Sequence, residues 1–88
     1  MKNNIFGKHL KDLRIEKGLS QQKLGEILGF CNQTISFWES GSREPDLDTL
    51  IEIARYFEVS IEELLEENME NAKERYDYYK NLEEDSNN

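Results

Sequence analysis

A lone cysteine, Cys31, leaves no partner for an internal disulfide in a chain of 88 residues, which fits a reducing compartment. Histidine is as scarce: His9 is the single one, and neither residue has a second ligand at metal-binding spacing. No stretch approaches the roughly 20 apolar residues that span a bilayer. The opening MKNNIFGKHL holds no apolar run of signal length. These absences predict a soluble cytoplasmic protein without a membrane partner, in which Asn32-Gln33-Thr34 matches a glycosylation sequon by chance. No nucleophile and base pair, phosphate loop or ligand cluster stands out, so neither an enzyme nor a cofactor is expected.

Positive charge is also in short supply. Nineteen acidic residues face eleven basic ones, a net charge of -8. Taken globally this opposes a nucleic-acid partner, since phosphate neutralisation requires Lys and Arg. The halves differ, however. Met1 to Pro45 carries about +2 and Asp46 onward about -10, so a weakly basic end can face a polyanion while the acidic end points away.

Alternating strand patterns are missing, and helical spacing is plentiful. Ile5, Phe6, Leu10 and Leu13 predict a first helix that stops at Gly18, with His9 an ordinary surface residue on its polar face. Ser20 is a good N-cap for a second helix bearing Leu24, Ile27 and Leu28. Gly29 turns the chain through the left-handed backbone that a side chain disfavours. A third helix follows, with Cys31, Ile35 and Trp38 on its apolar stripe and its end near Gly41. Cys31 is expected there as a small, half-buried helix-start residue, weaker than Ser as a cap. Gly25 lies where a bulky side chain would hold two crossing helices apart.

Asp46 caps a fourth helix with Leu47, Leu50, Ile51, Ala54 and Phe57 in one stripe, and Ser60 with Glu63 makes a capping box for a fifth carrying Ile61, Leu64 and Leu65. The expectation is an all-α domain of five short helices over residues 1–66. Residues 67–88 form an acidic tail in which Met69, Ala72, Tyr76 and Tyr79 keep helical spacing. A helix of that size is marginal alone in water, so this face is expected to serve self-association.

The third helix carries the functional signal. Asn32, Gln33, Ser36 and Ser40 share an uncharged face, and amides can pair twice with adenine's major-groove edge. Phe37 stands among them, either meeting a thymine methyl group or tucking against the domain. Gln21 opens the second helix, where free amides favour a phosphate oxygen. Lys8, Lys23 and Arg43 can add backbone contacts, which position a protein without specifying sequence. Trp38 reads as core, and Glu39 as a partner for Arg14 that holds Arg14 near the DNA backbone.

Leu13-Arg14, Gly18-Leu19-Ser20-Gln21, Leu24, Gly29, Thr34-Ile35-Ser36, Trp38-Glu39, Gly41, Pro45, Leu50 and the closing SIEELL closely resemble the Cro/repressor-type helix-turn-helix family, also called XRE, over about Phe6 to Leu65. The resemblance implies a lambda-repressor-like domain that binds double-stranded operator DNA as a homodimer, its third helix in the major groove. Carried over by position, Asn32, Gln33 and Phe37 face bases, Gln21 and Ser42 contact the backbone, and Arg14 with Glu39 forms the family's buried ion pair. The chain departs from the family at Gly25, where Ala is usual, at Cys31, where Ser is common, and at Phe37 and Ser42, where polar or basic residues often stand. The expected function is a sequence-specific repressor on an inverted repeat. The alternative, motivated by the acidic half, Phe37 and the tyrosine-bearing tail, is a regulator that keeps the fold but acts through a protein partner.

Overall fold

Ser20, Asp46 and Ser60 each accept an amide in the first turn of the helix they cap. In the computed structural model, which describes residues 4–66, Ser20 Oγ accepts from the Lys23 amide at 2.9 Å, Asp46 Oδ1 from Thr49 at 2.8 Å and Ser60 Oγ from Glu63 at 3.0 Å. These bonds open α2 (Gln21–Leu28), α4 (Leu47–Phe57) and α5 (Ile61–Leu65); α1 (Ile5–Glu16) and α3 (Asn32–Ser40) complete the order. All regular structure among the described residues is helical. Gly29 and Gly41 end α2 and α3 with φ of 86° and 85°. α4 ends the same way on a residue with a side chain, Glu58, at φ 58°.

One apolar cluster joins the helices: Phe6 and Leu10 from α1, Leu24 from α2, Ile35 and Trp38 from α3, Leu50, Ile53, Ala54 and Phe57 from α4, and Leu64 from α5. Burying a side chain such as Leu10, Leu24 or Ile35 contributes about 1.5–3 kcal/mol. Leu19 folds back onto this cluster from the α1–α2 link. α3 packs against both α1 and α2, so the helix with the amide face lies on a platform made by the other two.

Four expectations are corrected. Leu47 is 67% exposed although Thr49 and Leu50 of the same turn are buried, and the fully buried Ile53 belongs to the stripe instead. Ile27 is also exposed at 40%. Cys31 is exposed rather than half-buried, since the chain there is still extended and has not begun the helix. His9 is no ordinary surface residue: it is half-buried, and its Nδ1 lies 3.1 Å from the carbonyl oxygen of Leu64, tying α1 to the last turn of α5. The expected tail face of Met69, Ala72, Tyr76 and Tyr79 lies outside the described residues.

Candidate nucleic-acid interface

The turn between α2 and α3 closes on one carbonyl. Gly25 O accepts from the amides of Gly29 at 2.8 Å and Phe30 at 2.7 Å. A Cβ on Gly25 would run into the Phe30 carbonyl oxygen, so the absence of a side chain there permits the close approach expected of it. Phe30 and Trp38 meet in a T-shaped pair with centroids 4.9 Å apart, and this contact braces the turn against the core.

Cys31 occupies the N-cap of α3 in extended conformation, but its side chain makes no cap bond to the backbone. Its Sγ instead meets the Thr34 hydroxyl at 3.3 Å, and that contact holds the thiol below its ordinary range. Beyond it, Ile35 and Trp38 turn into the core. Asn32 and Gln33 are exposed in the first turn of α3, and Ser36 and Phe37 are half-buried one turn later. These four residues form an uncharged strip along the outer side of the helix.

Beneath the strip, Glu39 is buried and saturated. Its carboxylate accepts from Arg14 Nε at 2.6 Å and Nη2 at 3.0 Å, and from Gln21 Nε2 at 3.1 Å. Arg14 Nη1 donates to Leu19 O at 2.7 Å, so all three guanidinium nitrogens point into the protein. The hydrogen bond to Glu39 raises the affinity of Arg14 for its proton. One network therefore ties α1, the α1–α2 link and the start of α2 to α3, and Gln21 stands with one amide hydrogen on Glu39 at the positive end of its helix.

The remaining cations are more loosely held. Lys23 is exposed and pairs with Glu26 at 3.7 Å, a surface pair of little energetic weight. Ser42 Oγ lies 3.0 Å from Ser40 Oγ. Arg43 folds back so that its guanidinium carbon lies 4.7 Å from the Phe37 ring centroid. The Ser42 and Arg43 amides both donate to Phe37 O, at 3.0 and 3.3 Å, which fixes the two residues as one unit. Helical spacing could not reveal this pairing, because the left-handed turn at Gly41 breaks the register between them. Sequence reasoning also missed Asn4, whose side-chain amide donates to Glu39 O at 3.1 Å across 35 residues.

Two helices about a left-handed glycine, the second with an outward amide face and a buried ion pair beneath, define the class of helix-turn-helix DNA readers. The profile of the family described as Helix-turn-helix matches residues 10–64, and the chain belongs to that family. It is 37% identical over 83 residues to the HTH-type transcriptional activator BcrR of Enterococcus faecalis, covering 83% of this chain and 41% of that protein. It is 30% identical over 71 residues to the cryptic phage CTXphi transcriptional repressor RstR of Vibrio cholerae, covering 81% and 64%. The chain thus spans about half the length of such curated relatives. Among solved structures, the P22 c2 repressor in complex with a synthetic operator superposes with a TM-score of 0.68 at 26% identity, covering 73% of this chain and 97% of that one. Bacillus thuringiensis PlcR in complex with the peptide PapR7 and DNA gives 0.64 at 28% identity, covering 90% and 28%. The resemblance carried by Gly18-Leu19-Ser20-Gln21 and Trp38-Glu39 is thus the family found, and the fold is that of the repressor domain.

Proposed function

We propose that this protein is a transcriptional regulator, not an enzyme, that reads double-stranded DNA by sequence and represses as a cytoplasmic homodimer on an inverted repeat. The observation that carries this reading is the uncharged strip of α3, presented outward while Glu39 anchors the helix from below. In the major groove, Asn32 and Gln33 pair with adenine edges, Ser36 reaches a base edge, and Phe37 meets a thymine methyl group. Gln21, Lys23, Ser42 and Arg43 take phosphate oxygens. Arg14 was expected at the backbone as well; its nitrogens donate inside the protein, and its contribution is to hold α1 under α3. A two-fold dimer places two such helices ~34 Å apart, one turn of the duplex. Residues 1–66 act as the reading domain, and the 67–88 tail, through Met69, Ala72, Tyr76 and Tyr79, supports self-association.

Selection of bound sequences from random duplex, followed by gel shift across a salt series, tests the reading. A symmetric site with affinity falling steeply with salt is expected. Gln33→Ala should cost about 1–3 kcal/mol at one base position in each half-site. No duplex binding at ~50 mM salt, with a protein co-purifying in its place, would turn the assignment to the protein-partner alternative.

A further inference from the structure

Asn4 is a residue type that usually caps its own helix, and here it does not. It precedes α1 in the left-handed region, at φ 54° and ψ 31°, and its side chain makes no cap bond to α1. That conformation costs a residue with a Cβ, though Asn tolerates it better than most. In return the amide reaches α3 and donates to the carbonyl oxygen of Glu39.

The last carbonyls of a helix have no partners within it. In α3, Phe37 O receives the Ser42 and Arg43 amides, and Trp38 O receives the Gly41 amide at 3.3 Å. Glu39 O receives Asn4 Nδ2. The fit around this contact is close on both sides. A Cβ on Gly41 would lie 2.8 Å from Asn4 Cγ, and one on Gly7 would lie 2.6 Å from the carbonyl oxygens of Trp38 and Glu39. Glu39 is thus gripped at both ends, by Arg14 and Gln21 at its carboxylate and by Asn4 at its backbone.

We propose that Asn4 is a positioning residue for DNA reading: it caps the C-terminal end of α3 from outside, and so sets the angle of the helix and the placement of Ser42 and Arg43 beside Phe37. This rests on the DNA-reading assignment above. Asn4 itself touches no base. It acts because the loop that carries Arg43 leaves α3 at the carbonyls that Asn4 helps to satisfy.

Two variants separate positioning from stability. Asn4→Gly keeps the left-handed backbone without strain and removes the donor. Asn4→Asp keeps the shape, but its carboxylate can only accept, and it adds negative charge at the negative end of α3. The full chain and both variants are compared on a duplex selected by the wild type, on unrelated duplex, in thermal unfolding, and in amide exchange at Gly41, Ser42 and Arg43. Affinity of the folded protein for the selected duplex should fall about tenfold, the scale of one hydrogen bond, with a smaller loss on unrelated duplex, where Ser42 and Arg43 meet phosphates alone, and with faster exchange at the three amides. A lowered Tm with specific affinity intact would overturn the proposal. If the wild type selects no sequence, the DNA-reading assignment fails instead. Exchange then decides alone, and undiminished protection at the three amides in both variants rejects the cap.

Discussion

Glu39 accepts two hydrogen bonds from Arg14, from Nε at 2.6 Å and from Nη2 at 3.0 Å, with the two side chains only 5% and 12% exposed. The pair joins the first helix to the third, and it is buried enough that losing one partner strands the other.

Arg14→Met should therefore cost about 3–5 kcal/mol, because it leaves a carboxylate buried without its cation. The double variant Arg14→Met with Glu39→Leu should recover most of that loss. Urea unfolding of the two singles and the double gives the coupling directly. The proton affinity of Arg14 is raised, so stability drawn from it is complete below the ordinary guanidinium range and is lost only as pH rises through the raised value. The titration of Arg14 itself therefore leaves stability flat through the neutral range.

Gly7→Ala sets helix propensity against packing. Ala favours the helix by about 1 kcal/mol. The new Cβ would lie 2.6 Å from two backbone carbonyl oxygens of α3, which cannot swing aside as a side chain can. Separating α1 from α3 should cost about 1–3 kcal/mol, so the net effect is a lower urea midpoint. A midpoint equal to or above that of the wild type would show that the helices are not held at this spacing.

Cys31→Ser tests the start of α3. The thiol makes no cap bond although the backbone is already in capping geometry, and it is exposed, so a hydroxyl costs nothing in packing. Serine should stabilise the protein by about 0.5–1 kcal/mol, visible as a higher Tm.

Asp46 supplies an acid-side dependence with a definite sign. A hydrogen bond from the Thr49 side chain and then the one from the Thr49 amide lower the pKa of its carboxylate below the usual range. The cap is complete above that range and is lost as pH falls through the lowered value. Asp46→Asn keeps a capping oxygen but cannot titrate there. Stability measured across acid pH should fall less steeply in the variant than in the wild type.

Much of the fold was legible because its signals are local. Ser20, Asp46 and Ser60 each reach an amide three residues ahead, and Gly29 and Gly41 answer a requirement of their own backbone. Where a signal depended on reach, the reading failed. Leu47 keeps helical spacing with Leu50, yet it is 67% exposed while Leu50 in the same turn is buried. The α4 terminus at Glu58 was not legible, since nothing in a glutamate announces a left-handed residue.

The chain by itself determined five helices, their caps and turns, and the uncharged face of Asn32, Gln33, Ser36 and Phe37, because side chains within a turn of one another obey fixed periodicities. Tertiary structure alone decided that His9 meets Leu64, that Arg43 covers Phe37 and that Asn4 caps a helix starting 28 residues later. Those contacts depend on where helices cross and on how a left-handed glycine redirects the chain. No periodicity in the sequence encodes such a crossing. The α2–α3 pair was readable as two helices about a glycine; its stance on the domain was set by the grip on Glu39 from Asn4 and from Arg14 of α1.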